Sequence, residues 1–104
     1  MKLYRVGFAL VTAFGLSACG NDAPSASASG AKLYNYYCAD CHHADGAGSF
    51  LEGVPANRTT NLNEAQLVRL ILHGHEGSKM PVFSQLQEEQ AERIAQYLLQ
   101  ELHR

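Results

Sequence analysis

An all-α fold of about three helices is what this sequence predicts for a small domain over residues 30–104. Three observations carry that expectation. Apolar residues recur at helical spacing near the C-terminus, where Ala91, Ile94, Ala95, Leu98 and Leu102 stand at i, i+3, i+4, i+7 and i+11. No stretch of useful length alternates with period two, so no strand is expected. The segments between the helical windows, 45–55 and 75–83, carry Gly and Pro and read as loops.

From the N-terminus, Lys2 and Arg5 flank the start of an eleven-residue apolar run, Val6–Leu16. A spanning helix needs roughly 20 apolar residues, so the run fits the h-region of a secretory signal peptide. Leu16-Ser17-Ala18-Cys19 resembles a bacterial lipobox, whose cysteine becomes the mature N-terminus and carries lipid. That resemblance implies a lipoprotein signal peptide at 1–18, lipidation of Cys19, and a bacterial periplasmic domain anchored to the inner or outer membrane. An ordinary signal peptide with an incidental Cys19 is the plainer alternative. Residues 19–29 contain the run NDAPSASAS, small and polar, and are expected to form a flexible tether. Those nine residues reach about 30 Å when extended.

The domain opens with a helix over 29–37, for which Ser29 is a suitable cap and Leu33, Tyr34 and Tyr37 form one side. A second helix is expected over 61–74. Asn61 with Glu64 gives a capping-box pattern, Gly74 can end the helix, and Leu67, Leu70 and Ile71 form its inner face. The last helix spans about 87–103, with Tyr97 at the edge of its apolar stripe.

Size and charge bound the function. A folding part of about 75 residues makes one domain, marginal without a disulfide, metal or cofactor. Without residues 1–18, six basic and ten acidic residues remain, a formal charge near −4. Nucleic-acid binding needs clustered Lys and Arg and is not expected. Acidity of this kind steers a protein towards basic patches on partners, or simply keeps it soluble.

The stretch CADCHH, residues 38–43, carries the chemistry. Two thiols at this spacing can close a redox disulfide, bind zinc, or bond to the two vinyl groups of a haem. A thioredoxin-like site wants a βαβ unit, and no strands are expected. A structural zinc site wants four ligands, and there is no second Cys pair, although His73 and His75 could be recruited. Haem attachment needs two thioethers and an iron ligand beside the second, which Cys38, Cys41 and His42 supply. The three cysteines are then accounted for, one in the lipobox and two in the motif.

Together with the motif, further features over residues 30–103 resemble the class I c-type cytochromes, in a lipoprotein form. Gly30, Tyr34 and Cys38 follow at intervals of four, and Ile94 and Tyr97 stand where the family crosses its first and last helices. The resemblance implies that the Pro55 carbonyl accepts a hydrogen bond from Nδ1 of His42. It also implies that Met80, in Gly77-Ser78-Lys79-Met80-Pro81, is the second axial ligand. His73 and His75 are rival ligands, and His103 is expected to be solvated. The family often has Gly after the motif, and here His43 stands there, expected to face solvent. Ala39, Ala44, Val82 and Phe83 are candidates for an apolar ring at the exposed haem edge.

The resemblance therefore implies a cytochrome c-like domain with one haem c, attached through Cys38 and Cys41. Its implied role is single-electron transfer rather than enzymatic turnover. Implied partners are a quinol-oxidising complex on one side and a terminal oxidase or periplasmic reductase on the other. The alternative is a haem sensor or peroxidase-like enzyme with a labile sixth ligand; a zinc-stabilised interaction domain is a third reading.

Overall fold

The computed structural model describes Gly15 and residues 22–103. The expected signal peptide and Cys19 lie outside the described residues. Among those described, four α-helices occur and no strand forms beyond an isolated bridge between Ser49 and Val54.

Helix α1, Gly30–Tyr37, starts where the Ser29 side chain accepts from the Lys32 amide at 3.2 Å. It stops at Cys38, whose φ of −119° breaks the helical path. A single further turn, α2, Ala39–His42, follows at once. The sequence pattern gave no sign of it, because four residues are too few to show a period. Helix α3, Glu64–His73, begins two residues later than expected. Its capping box is Asn63 with Gln66, not Asn61 with Glu64; both reciprocal bonds measure 2.9 Å. Asn61 and Asn63 offer the same pattern in two registers. The one adopted puts Leu62 and Leu67 at the positions of a hydrophobic staple, and both line the central cavity. Helix α4, Glu88–Tyr97, runs on into a π-helical turn, Leu98–Leu102.

Helices α1 and α3 both pack against α4. Ala91, Ile94, Ala95 and Leu98 are buried, as the stripe requires, and meet Leu33 and Tyr34 of α1 and Leu67 and Ile71 of α3. At the crossing of α1 and α4, a Cβ on Gly30 would stand 2.2 Å from the Arg93 carbonyl oxygen. Only a residue without a side chain permits that approach. The Tyr34 and Tyr97 rings fill the space beside it, centroids 5.6 Å apart and tilted by 54°.

The expected tether is shorter than its composition suggests. Ala28 is buried in the core cluster, its amide donates to the Ser25 carbonyl at 3.0 Å, and the Arg93 guanidinium donates to the Ala26 carbonyl. Residues 25–29 therefore lie against the domain. Alanine is small enough to enter a core, and an arginine 67 positions away supplies the partner that the segment lacks by itself.

Candidate functional site

Beside the packed helical core lies a cavity of about 520 Å³. Its walls are mostly apolar, with Leu67, Leu70 and Ile71 from α3, Phe83 from the following loop, and Ile94 and Leu98 from the last helix. Five residues singled out from the sequence meet on it: Cys38, Cys41, His42, Pro55 and Met80. Their convergence follows from the fold. Cys38 sits at the junction of α1 and α2, His42 ends α2, and the 75–83 loop is fixed to α3 by the Phe83 amide donating to the Ile71 carbonyl at 2.9 Å.

His42 is buried, and its Nδ1 lies 2.9 Å from the Pro55 carbonyl oxygen. A carbonyl can only accept, so Nδ1 carries the proton and the lone pair of the neutral ring is on Nε2. Gly48 makes this geometry possible. Its φ is +67°, its amide donates to the His42 carbonyl at 3.0 Å, and a Cβ there would come within 2.6 Å of the Pro55 oxygen. The loop is thus pressed against the histidine at a place where a side chain would push it away.

The two thiols differ. Cys41 is exposed and Cys38 buried. Burial pushes the Cys38 thiol up to about 12, and the charge of a neighbouring Cys41 thiolate adds to the rise. Cys38 is therefore a neutral thiol at physiological pH, a poor start for thiol–disulfide exchange, in which the thiolate attacks. Among the described residues, no three His, Cys, Asp or Glu side chains cluster as a metal site.

Sequence reasoning missed the hydroxyl of Tyr34. Beyond filling the helix crossing, its Oη donates to the His43 carbonyl at 2.9 Å and accepts from Asn57 Nδ2 at 3.2 Å. One side chain thereby ties the residue after His42 to the residue two beyond Pro55. Burial raises the Tyr34 pKa above its ordinary value, and the hydrogen bond from Asn57 opposes this only in part. His43 is exposed and is the one non-glycine with positive φ among the described residues, at φ 64° and ψ 160°. That region is essentially glycine's alone.

The other histidines separate cleanly. His73 faces an outer cleft between α3 and α4, away from the cavity, whereas His75 lines the cavity mouth beside Lys79 and Met80. His103 is exposed at the chain end. Of the residues expected at an exposed edge, Phe83 lines the cavity, while Ala44 and Val82 are exposed elsewhere and Ala39 packs on the core.

The residues fit a large, flat, apolar cofactor. The volume lies within the roughly 300–1,000 Å³ of cofactor sites. The walls are mostly apolar, Cys38, Cys41 and His42 all line them, and the Nδ1 bond of His42 leaves the Nε2 lone pair free. An all-α domain with this cavity and a C-x-x-C-H motif on its wall is a c-type cytochrome. A family model described as "Cytochrome C oxidase, cbb3-type, subunit III" matches residues 25–98, and the chain belongs to that family of c-type cytochrome domains. It carries covalently attached haem c and is a haem electron carrier.

No curated protein matches the chain. Solved structures do. The KustC0563 c-type cytochrome superposes with a TM-score of 0.61 at 21% identity, over 74% of this chain and 100% of that one, a likeness of fold. Dihydro-heme d1 dehydrogenase NirN in complex with DHE gives 0.60 at 32% identity, over 70% of this chain and 16% of that one. The c-type cytochrome XoxG from Methylobacterium extorquens AM1 gives 0.54 at 26% identity, over 66% and 45%.

Proposed function

We propose that this chain is a membrane-tethered monohaem cytochrome of the bacterial periplasm, passing single electrons between respiratory partners and catalysing no reaction of its own. Cys38 and Cys41 would hold the haem through thioethers, and His42 and Met80 would supply the donor atoms to its iron. When bound, the haem supplies reversible one-electron chemistry at its iron.

The protein's own residues set the conditions for that chemistry. Pro55 keeps the proton on His42 Nδ1 and leaves Nε2 as the donor atom. Met80 offers a soft, neutral thioether from a loop stiffened by Pro81, and such a ligand favours the reduced metal. The apolar walls exclude water and penalise the extra positive charge of the oxidised state. With both donors supplied by the chain, no position at the iron would be left for a substrate. The observation that carries the reading is the 2.9 Å bond from His42 to Pro55 on a cavity that Cys38, Cys41 and Met80 also line.

The test is an absorption spectrum of the exported protein, oxidised and reduced, before and after carbon monoxide. Pigment that survives acidified acetone, a low-spin spectrum in both states and no response to carbon monoxide are expected; pigment released into acetone overturns the attachment. The position of His75 at the cavity mouth favours a second reading, a sensor or peroxidase-like protein with a labile sixth ligand. Ready binding of carbon monoxide would select it.

The partners that suit the carrier are a quinol-oxidising complex as donor and a terminal oxidase or periplasmic reductase as acceptor. Cys19 carries the lipid that keeps the domain at the membrane. Cys19→Ala should move the protein from the membrane to the soluble fraction with its colour unchanged, and a variant that still sediments with membranes counts against the anchor.

A further inference from the structure

We propose that the hairpin Ser49–Val54 is a docking finger, whose Phe50 and Leu51 enter an apolar pocket rimmed by Lys and Arg on a redox partner protein. The proposal rests on the electron-carrier reading and adds to it the place and chemistry of contact.

Phe50 is 98% and Leu51 96% exposed, the two most exposed large apolar residues described. They are adjacent and belong to an ordered turn. The Ser49 and Val54 amides each donate to the other's carbonyl at 2.9 Å, and the Gly53 amide donates to the Phe50 carbonyl at 3.2 Å, with Gly53 at φ 71°. A rigid turn that points two large apolar side chains at water forgoes the burial that normally stabilises such residues. Single exposed apolar residues are ordinary, but an adjacent pair on a fixed tip marks a contact surface. Aromatic and aliphatic anchors of this kind dominate binding energy at the centre of interfaces.

The base of the finger locates that contact. Gly53, Val54 and Pro55 line the cavity, and the Pro55 carbonyl holds His42. A partner seated on the tip therefore stands beside one wall of the cofactor site.

Charge chooses among occupants. Residues 22–103 carry ten acidic and five basic side chains. Glu52 sits on the tip itself and is exposed, as are Asp40 and Asp45; Asp45 alone meets a cation nearby, Arg58 at 3.5 Å. Such a surface repels an anionic bilayer and a second copy of itself, and it attracts a basic rim. Size agrees with a passing encounter. Two side chains bury at most about 400 Å², well short of the roughly 1,200 Å² of a stable complex.

The experiment uses the full chain carrying Cys19→Ala, so that no lipid mediates adsorption, with and without Phe50→Ser/Leu51→Ser. Both positions are fully exposed, so the substitutions leave the fold intact, which circular dichroism checks. Adsorption is weighed on gold coated with a mixed methyl- and ammonium-terminated monolayer, and on a purely ammonium one, while voltammetry follows the haem. The unsubstituted tip should bind the mixed surface at least tenfold more tightly than the double variant, with the two equal on pure ammonium. Equal binding on both surfaces overturns the proposal. Tip-dependent binding to vesicles of phosphatidylethanolamine and phosphatidylglycerol overturns it in favour of a lipid surface. Tip-dependent dimers in gel filtration overturn it in favour of self-association. Tip-dependent adsorption without a voltammetric wave upholds the finger and removes the haem reading on which its purpose rests.

Discussion

At the scale of the residue, Met80 and His43 make opposite demands. Met80 is proposed to stabilise the reduced iron, so Met80→Ala should convert the haem protein to high spin and lower its potential by on the order of 100 mV or more. Absorption and potentiometry check both effects, and a variant with the parent's spectrum shows that the sixth ligand lies elsewhere. His43 occupies a backbone conformation that costs a residue with a side chain about 1–3 kcal/mol. Glycine there relieves that strain but adds about 0.5–1 kcal/mol of unfolded-state entropy. His43→Gly should therefore stabilise the protein by about 1 kcal/mol, a rise in melting temperature of about 5 °C for a domain of this size. Thermal unfolding measures it, and a fall in melting temperature would show that the imidazole makes a compensating contact. The sequence marked this position by its departure from the family's usual glycine, but only the dihedral angle explains why glycine is usual.

At the scale of the element, the long helices were legible and the short ones were not. Periodicity found the α4 stripe, whose Ala91, Ile94, Ala95 and Leu98 are all buried. It could not see α2, which is one turn long, and the Asn61–Glu64 pattern pointed two residues short of the Asn63 cap that the Leu62–Leu67 staple favours. The crossing of α1 and α4 was readable from Gly30 because a close approach leaves a glycine in the sequence. Gly30→Ala must move the Arg93 carbonyl, and it should cost about 2–3 kcal/mol. Chemical denaturation checks this, and a loss under 0.5 kcal/mol would mean that the helices separate freely. The cofactor was legible for a chemical reason: C-x-x-C-H in fixed register, as in Cys38, Cys41 and His42, points to covalently attached haem. The Tyr34 hydroxyl was not legible, because its partners His43 and Asn57 are set by the fold, 9 and 23 positions away.

At the scale of the whole molecule, the cavity beside the helical core is lined by titratable groups, so the protein without haem should respond to pH through them. The folded chain holds the Cys38 thiol neutral up to about 12, against about 9 when unfolded. Between these values the unfolded chain has released a proton that the folded chain retains, so rising pH favours unfolding. Through Cys38, stability of the haem-free chain should fall as pH rises from about 9 towards 12, and Tyr34, also raised, acts in the same direction at the upper end. Cys38→Ala should remove the lower part of that fall, and so should haem attachment, since a thioether has no proton to lose. Denaturation curves across pH 8–11 provide the check; an unchanged slope in the variant assigns the loss to other groups.

The docking of Ala26 and Ala28 against α4 also shortens the leash. From Cys19 to Ser25 only six peptide links remain, about 20 Å when taut. If Cys19 carries lipid, as proposed, the domain would skim one leaflet and diffuse in two dimensions. It would then exchange electrons only with neighbours whose redox centres stand at that height above the same bilayer.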